Sequence, residues 1–119
     1  MSTPEVQKDK VNIRTSKNGE DTSNLLLSKG WFSENIEVFR TALAYGLANK
    51  LKPSEEVGPG GRNWNVGTLD QDGSVKILME IHGYVERPYA IAEAVVETAL
   101  IEIGKRLRNG ESLGQIFLN

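Results

Sequence analysis

Few side chains in this sequence could take part in covalent or metal chemistry. His82 is the single histidine, and the chain contains no cysteine. One chain therefore cannot form a thiol nucleophile, a disulfide, a cysteine-ligated zinc site or a site with several histidines. The sequence also lacks the Gly-x-Ser-x-Gly motif that presents a serine nucleophile in hydrolases.

Two loop motifs match ligand-binding loops only in part. Asp70 and Asp72 have the spacing of the first two ligands of a calcium loop, but Gly73 comes too early and the later ligands are missing. A plain turn is the better interpretation. The glycine-rich residues 58–61 lack the pattern of a phosphate-binding loop and do not open directly onto a helix. We therefore predict a protein that is not an enzyme and uses no cofactor or metal.

Basic and amide side chains near the N-terminus are better suited to binding a polyanion. Val11 and Ile13 alternate with polar residues, which predicts a strand over residues 10–15 with its polar side chains on one face. If this strand packs across the helix of residues 33–51, cations from both elements form one basic face. The predicted DNA contacts are Lys10, Asn12, Arg14, Lys17, Lys50 and Lys52. A net charge of −2 argues against a generally basic nucleic-acid binder but allows a local basic face.

The clearest helix in the sequence spans residues 33–51. Four large apolar residues recur at spacings of three and four and so share one face: Ile36, Phe39, Leu43 and Leu47. Ser33 is expected to be the N-cap, because its hydroxyl can accept a hydrogen bond from a free amide of the first turn. Pro53 stops the helix. We expect the rest of the chain to pack on this helix.

The segments on either side of this helix are shorter. Asn18-Gly19 predicts a turn after the strand, and a short helix is expected over residues 20–29 and ended by Gly30. Residues 53–62 contain two prolines and three glycines without periodicity, which predicts a loop.

Residues 63–83 allow two interpretations. Alternation around Trp64 and again around Ile77, on either side of the turn residues 70–73, is typical of a β-hairpin. Alternatively, a loop up to Gly73 leads into a helix of residues 74–82, with Ser74 as its N-cap. Periodicity alone does not decide between them.

A second long helix is predicted over residues 89–107, after Pro88. Its apolar arc is unusually wide, because Ala92, Val96, Ala99 and Ile103 extend the inward face. Such a helix is either central to the fold or buried against a second subunit. We predict homo-oligomerisation through this helix. The apolar residues 116–118 at the C-terminus are expected to be docked.

The order of elements defines a mainly α fold class. A short N-terminal strand precedes the helices, as in ribbon-helix-helix proteins, and further helices follow at the C-terminus. We predict a flexible tail over residues 1–9 and a single helical domain over residues 10–119. No apolar run approaches the roughly 20 residues of a membrane span, and the polar N-terminus has no signal-peptide core. We therefore expect a cytoplasmic protein with no membrane partner.

Five blocks of the sequence together resemble the small DndE-like proteins of bacterial DNA phosphorothioation (Dnd) systems. The blocks are VNIRTSK, VFRTALAYGLANKLKP, GRNWNV, VKILMEI and AVVETALIEIGKRL, spread over about residues 10–110. The resemblance implies a mainly helical fold related to ribbon-helix-helix proteins, oligomers, and DNA binding through surface lysines and arginines in DNA modification or phage defence. It implies no catalytic residues, and it favours the helix for residues 74–82.

Three functional hypotheses follow. The first is a non-enzymatic accessory protein of a bacterial DNA-modification or phage-defence system, which binds the DNA backbone or docks onto a protein partner. The second is a ribbon-helix-helix repressor or antitoxin, in which Asn12 and Arg14 read bases. The third is a protein-protein interaction module without DNA contact.

Overall fold

The computed structural model describes residues 8–118, and it confirms the mainly α fold class. A two-stranded antiparallel sheet accompanies the helices. In chain order the elements are β1 (Asn12–Ser16), α1 (Lys17–Ser28), α2 (Asn35–Ala48), β2 (Gly60–Asn65), α3 (Val66–Leu69), α4 (Ser74–Ile81), α5 (Pro88–Arg108) and α6 (Leu113–Phe117).

Helix α5 is the centre of the fold, with β1, α1, α2 and α4 packed around it. The wide apolar arc predicted from its sequence is buried inside the chain, where Ala92, Ala99 and Ile103 are fully inaccessible. The sequence allowed two explanations for the wide arc: a central position in the fold or a second subunit. In this structure α5 occupies the central position. The face that we predicted to be a subunit interface is already covered by the protein's own helices.

Helix α1 begins directly after β1, so the turn predicted at Asn18-Gly19 is wrong. Ser16 is the N-cap, and its hydroxyl accepts a hydrogen bond from the amide of Gly19 at 3.0 Å. Gly19 serves close packing instead, because a Cβ there would lie 3.3 Å from Leu100 of α5. One turn later, a Cβ on Gly104 would lie 2.5 Å from Oγ1 of Thr22. The two helices thus run parallel in close contact. The C-terminal end of α1 is as predicted, with Gly30 at a positive φ of 79°.

Helix α2 is shorter than predicted at both ends. Glu34 occupies the N-cap position without a side-chain cap, and the hydroxyl of Ser33 bonds the carboxylate of Glu37, so the predicted Ser33 cap is wrong. At the other end, the amides of Lys50 and Leu51 bond the carbonyls of Leu47 and Gly46 at 3.2 and 2.9 Å. These two hydrogen bonds form a Schellman motif, which ends the helix before residue 51.

The hairpin interpretation of residues 63–83 is wrong, and the interpretation as a loop followed by a helix is closer. Residues 60–65 do form a strand, β2, but it pairs with β1 rather than with residues 75–81. The predicted loop 53–62 therefore ends in a strand. Helix α4 follows Gly73, which takes the N-cap position expected for Ser74 at a φ of 75°.

The carboxylates of the Asp-x-Asp-Gly turn are used by α4 itself. Asp70 accepts hydrogen bonds from the amides of Val75 and Lys76 at 2.9 and 3.1 Å, and Asp72 accepts one from Ser74 at 3.0 Å. Residues 70–72 form a turn, as predicted. The hydrogen bonds also stabilise α4, since carboxylates at a helix N-terminus compensate its dipole.

The carboxylate of Asp9 binds the first amides of α5 in the same way. Asp9 lies in the segment that we predicted to be a flexible tail. Its carboxylate accepts hydrogen bonds from the amides of Tyr89 and Ala90 at 2.9 and 3.0 Å. The tail prediction for residues 1–7 concerns residues outside those described. At the C-terminus, α6 carries a capping box at Ser112 and buries Ile116, while Leu118 is exposed.

Candidate nucleic-acid interface

The antiparallel pairing of β1 with β2 creates a ribbon with one polar face. Asn12 pairs with Asn65 and Arg14 with Asn63. Residues that pair directly across two strands point to the same face, so these four side chains share the outer surface. All four residues are exposed, whereas Ile13 of the alternate set is fully buried. We refer to Asn12, Arg14, Asn63 and Asn65 as the ribbon face.

The side chains of the ribbon face differ in how far internal contacts occupy them. Asn12 and Asn63 make no side-chain hydrogen bond to any residue in the described range. Arg14 donates one hydrogen bond, from Nη2 to the carbonyl of Val57 at 2.8 Å, which fixes its guanidinium at the edge of the ribbon. Asn65 uses its Oδ1 to accept from the amide of Gly67 at 2.8 Å, as the N-cap of α3. Two complete amide groups and most of a guanidinium are thus free to bind a ligand.

The inner side of the ribbon is fixed by apolar packing and by a tight backbone contact. Ile13 pairs with Trp64. The ring centroids of Trp64 and Phe39 are 5.6 Å apart, in an edge-to-face contact. A Cβ on Gly61 would collide with the backbone carbonyls of Thr15 and Ser16. Gly61 therefore allows the two strands to approach where the register shifts. This support gives the ribbon face a defined shape.

Two buried glutamates attach β1 to α5. Glu93 accepts a hydrogen bond from the Arg14 amide at 2.9 Å, and Glu97 accepts one from the Ser16 hydroxyl at 2.6 Å. Both residues are almost inaccessible, with exposures of 6% and 4%. The packing of β1 differs from the arrangement predicted from sequence, because β1 lies on α5 rather than across α2, the helix that precedes Lys50 and Lys52.

Lys10, one of the predicted DNA contacts, is engaged inside the protein. Its Nζ lies 2.8 and 2.9 Å from the two carboxylate oxygens of Glu93. The side chain of Glu93 is 8% exposed and that of Lys10 is 32% exposed. Lys10 is thus the ion-pair partner of a buried carboxylate. Because Glu93 balances the positive charge of Lys10, this charge adds little attraction for an external phosphate.

The other predicted cations lie at separate places. Lys17 is exposed at the start of α1, beside the ribbon, and its ion pair with Asp21 is long, at 3.8 Å. Lys50 follows α2 and borders a cavity together with His82 and Tyr84, which come just after α4. The backbone carbonyl of Lys52 accepts a hydrogen bond from the Thr98 hydroxyl on α5 at 2.8 Å, and the side chain of Lys52 is exposed. The structure therefore brings Arg14 and Lys17 together at the ribbon, with Lys50 and Lys52 elsewhere.

Lys50 adopts a backbone conformation that favours glycine, with φ of 54°. A left-handed conformation costs an L-residue about 1 kcal/mol, because the Cβ crowds the following carbonyl. Lys50→Gly is expected to raise the free energy of unfolding by about 0.5 to 1 kcal/mol, measured by urea denaturation. Lys52→Gly removes the same charge two residues away, at a position without positive φ, and should not stabilise the protein. Equal effects of the two substitutions would contradict this explanation.

Sequence reasoning missed Asn63 and Asn65. The signal was present in the alternation around Trp64, which places residues 63 and 65 on the opposite face. The same alternation is compatible with half of a local hairpin, one of the two interpretations that the sequence leaves open. Nothing in the local sequence indicates that the partner strand lies some fifty residues earlier.

Ionisable groups elsewhere are used to stabilise the fold. Burial raises the pKa of the Tyr89 phenol to about 12, and its hydrogen bond to the Asp70 carboxylate acts in the same direction. Tyr89 is therefore a protonated donor to Asp70 at neutral pH, at 2.7 Å. Within residues 8–118, no group of three or more His, Cys, Asp or Glu residues could hold a metal ion. In the same range, no helix is long and apolar enough to cross a membrane.

The fold and the ribbon face together define a small, mainly α-helical protein with a β-ribbon formed within one chain. A scan against protein-family models, a search of curated proteins and a search of solved structures found no match for this chain. The likeness to DndE-like proteins therefore stays a prediction from the sequence blocks.

Proposed function

We propose that this protein binds duplex DNA, without catalysing a reaction, through the ribbon face. The observation that carries the proposal is the composition of that face: three asparagines and one arginine, with no acidic side chain among the four paired positions. Amide and guanidinium groups are the side chains that pair in bidentate fashion with adenine and guanine edges. A two-stranded ribbon also fits the major groove, which is about 12 Å wide.

The structure differs in one respect from the ribbon-helix-helix pattern that the element order suggested. In those proteins, each chain of a dimer contributes one strand of the ribbon. Here both strands come from the same chain, so a single copy presents a complete ribbon. DNA contact through this ribbon accordingly needs no second subunit.

The biological setting remains the one implied by the sequence blocks. We propose an accessory role in a bacterial DNA-modification or phage-defence system, in which the protein holds DNA for a partner enzyme. The free amides of Asn12 and Asn63 favour one competing function, a repressor or antitoxin that reads sequence. A protein-protein interaction module without DNA contact is the remaining alternative.

Binding to intact and nicked duplex DNA across a range of salt concentrations tests the proposal. Each phosphate contact adds about 0.9 to the slope of log affinity against log salt, so Arg14 and Lys17 account for a slope of about −1.8. Arg14→Ala/Lys17→Ala is expected to remove this part of the slope and to weaken binding equally for all sequences. Fluorescence anisotropy with labelled duplexes measures both effects.

Lys29→Ala/Arg40→Ala is the matched control. It also removes one exposed lysine and one exposed arginine, from the C-cap of α1 and from α2, and Arg40 donates to one backbone carbonyl as Arg14 does. The slope of this control should equal that of the wild type. If the wild type binds no DNA at low salt, or if both double variants lose the same slope, the ribbon face is not a DNA interface.

A second pair of substitutions separates base recognition from backbone contact. Asn12→Ala/Asn63→Ala removes two amides and leaves the charge unchanged. If the protein is an accessory factor whose amides contact only the DNA backbone, this variant binds all duplexes more weakly than the wild type by the same factor. Loss of a preference for one sequence, with the salt slope preserved, would instead establish the repressor hypothesis.

A further inference from the structure

Helix α4 carries an exposed apolar surface that the fold leaves uncovered. Ile77 and Ile81 lie one turn apart on its outer side and are 55% and 74% exposed, and Val85 just beyond the helix is 67% exposed. Together with Val11, they are four of the six large apolar residues that are exposed among residues 8–118. We refer to Ile77, Ile81 and Val85 as the α4 patch. Contiguous apolar surface on a small protein usually marks an interface.

A groove of about 580 Å³ extends this surface towards the ribbon. Val85 and Val11 contribute to its walls, and so do Lys76 and Glu80 of α4. The latter two residues each precede an isoleucine of the α4 patch, so the apolar surface is bordered by one cation and one anion. Neither side chain forms an ion pair with any residue of the described range.

The order of these charges suits a copy of the same helix. In a two-fold symmetric contact, residue i meets residue j and residue j meets residue i. Lys76 and Glu80 are one helical turn apart, so two antiparallel copies of α4 place each Lys76 near the Glu80 of the other copy. The same alignment packs Ile77 of each copy near Ile81 of the other. Both the apolar and the charged contacts are therefore self-complementary.

We infer that the protein forms a symmetric dimer in which the α4 patch packs antiparallel against its own copy. This interface replaces the α5 face, which is buried inside the chain. An eight-residue helix is only about 12 Å long, so the contact is small and the dimer is a weak one. The inference does not depend on DNA binding and can fail while the proposed function stands.

Sedimentation equilibrium over about 10 µM to 1 mM protein tests the dimer. The wild-type mass should rise from one chain towards two, and Ile81→Lys should remain at one chain throughout. The control is Leu118→Lys, which makes the same kind of change after α6, at a residue that is 78% exposed and does not line the groove. It should dimerise as the wild type does. A wild type that stays at one chain up to 1 mM overturns the inference, and so does a dimer that survives Ile81→Lys.

Charge reversal tests the antiparallel alignment. Lys76→Glu alone places two carboxylates opposite each other at both contacts, and Glu80→Lys alone places two ammonium groups there. Each variant is expected to dimerise roughly tenfold more weakly than the wild type, because two pairs change from attraction to repulsion. An equimolar mixture of the two variants restores opposite charges at both contacts, so mixed dimers should form with wild-type affinity. A mixture that associates no better than either variant alone overturns this alignment.

Discussion

Replacing Ile103 by aspartate is expected to unfold the protein. Ile103 is fully buried in the central helix, so the substitution removes an apolar side chain from the core and places a carboxylate there without a cation. Burying an unpaired charge costs an amount comparable with the whole free energy of unfolding of a domain, about 5 to 15 kcal/mol. Far-UV circular dichroism of Ile103→Asp at 25 °C should show the loss of most helical signal.

Two further substitutions make this result specific. Ile101→Asp changes a half-exposed residue on the same helix, and the protein should keep its fold. Ile103→Val keeps the core apolar and should cost only about 0.5 to 1.5 kcal/mol. If Ile103→Asp remained folded and only its molecular mass changed, the arc of α5 would be a subunit interface after all, as the sequence alone suggested.

The case of α5 shows what apolar periodicity can and cannot tell. The spacing of its residues identified a long helix and a broad buried arc correctly. It could not say whether the arc is covered by the same chain or by another, because both environments exclude water equally. That distinction depends on how many elements surround the helix, and this number is a property of the whole fold.

Local turn and cap signals failed where another hydrogen bond or a packing contact was stronger. Asn18-Gly19 is a frequent turn sequence, yet Ser16 supplies an N-cap two residues earlier and Gly19 is needed against Leu100. Ser33 is a good N-cap type, but its hydroxyl bonds Glu37 instead. Cap preferences are worth about 1 kcal/mol, which a competing local hydrogen bond or one good tertiary contact can exceed.

The candidate site was the least predictable part of the chain. The alternation around Ile13 located β1 and assigned Asn12 and Arg14 to its outer face, which the structure bears out as a geometric arrangement. The other half of the ribbon face comes from β2, whose pairing bridges sequence separations of roughly fifty residues. Such pairing is decided by how β2 packs against β1 and α1, and no local window of sequence contains that information.

Lys10→Met is expected to lower the free energy of unfolding by about 2 to 3 kcal/mol. The substitution keeps a long apolar side chain but leaves the Glu93 carboxylate buried with only the Arg14 amide as a donor. Removing one partner of a buried ion pair typically costs about 3 to 5 kcal/mol, and the partial exposure of Lys10 reduces this amount. Urea denaturation followed by circular dichroism measures the change.

A double-mutant cycle tests whether the cost comes from the stranded charge. Glu93→Gln removes the charge but keeps a side-chain carbonyl that can accept from the Arg14 amide. Lys10→Met/Glu93→Gln should therefore recover most of the stability lost in Lys10→Met. Lys17→Met is the matched control, because its pair with Asp21 is exposed and long and contributes less than about 0.5 kcal/mol. Similar losses in Lys10→Met and Lys17→Met would contradict a structural role for Lys10.

Lys10→Met and Lys17→Met also distinguish the lysine that stabilises the fold from the lysine that contacts DNA. Lys10→Met, studied at a temperature where it remains folded, should keep the salt slope of DNA binding, because the ammonium group that it removes is already compensated by Glu93. Lys17→Met should keep its stability and lose about 0.9 of the slope. The opposite pattern, with Lys10 affecting the slope and Lys17 the stability, would mean that the Lys10–Glu93 pair opens when DNA binds.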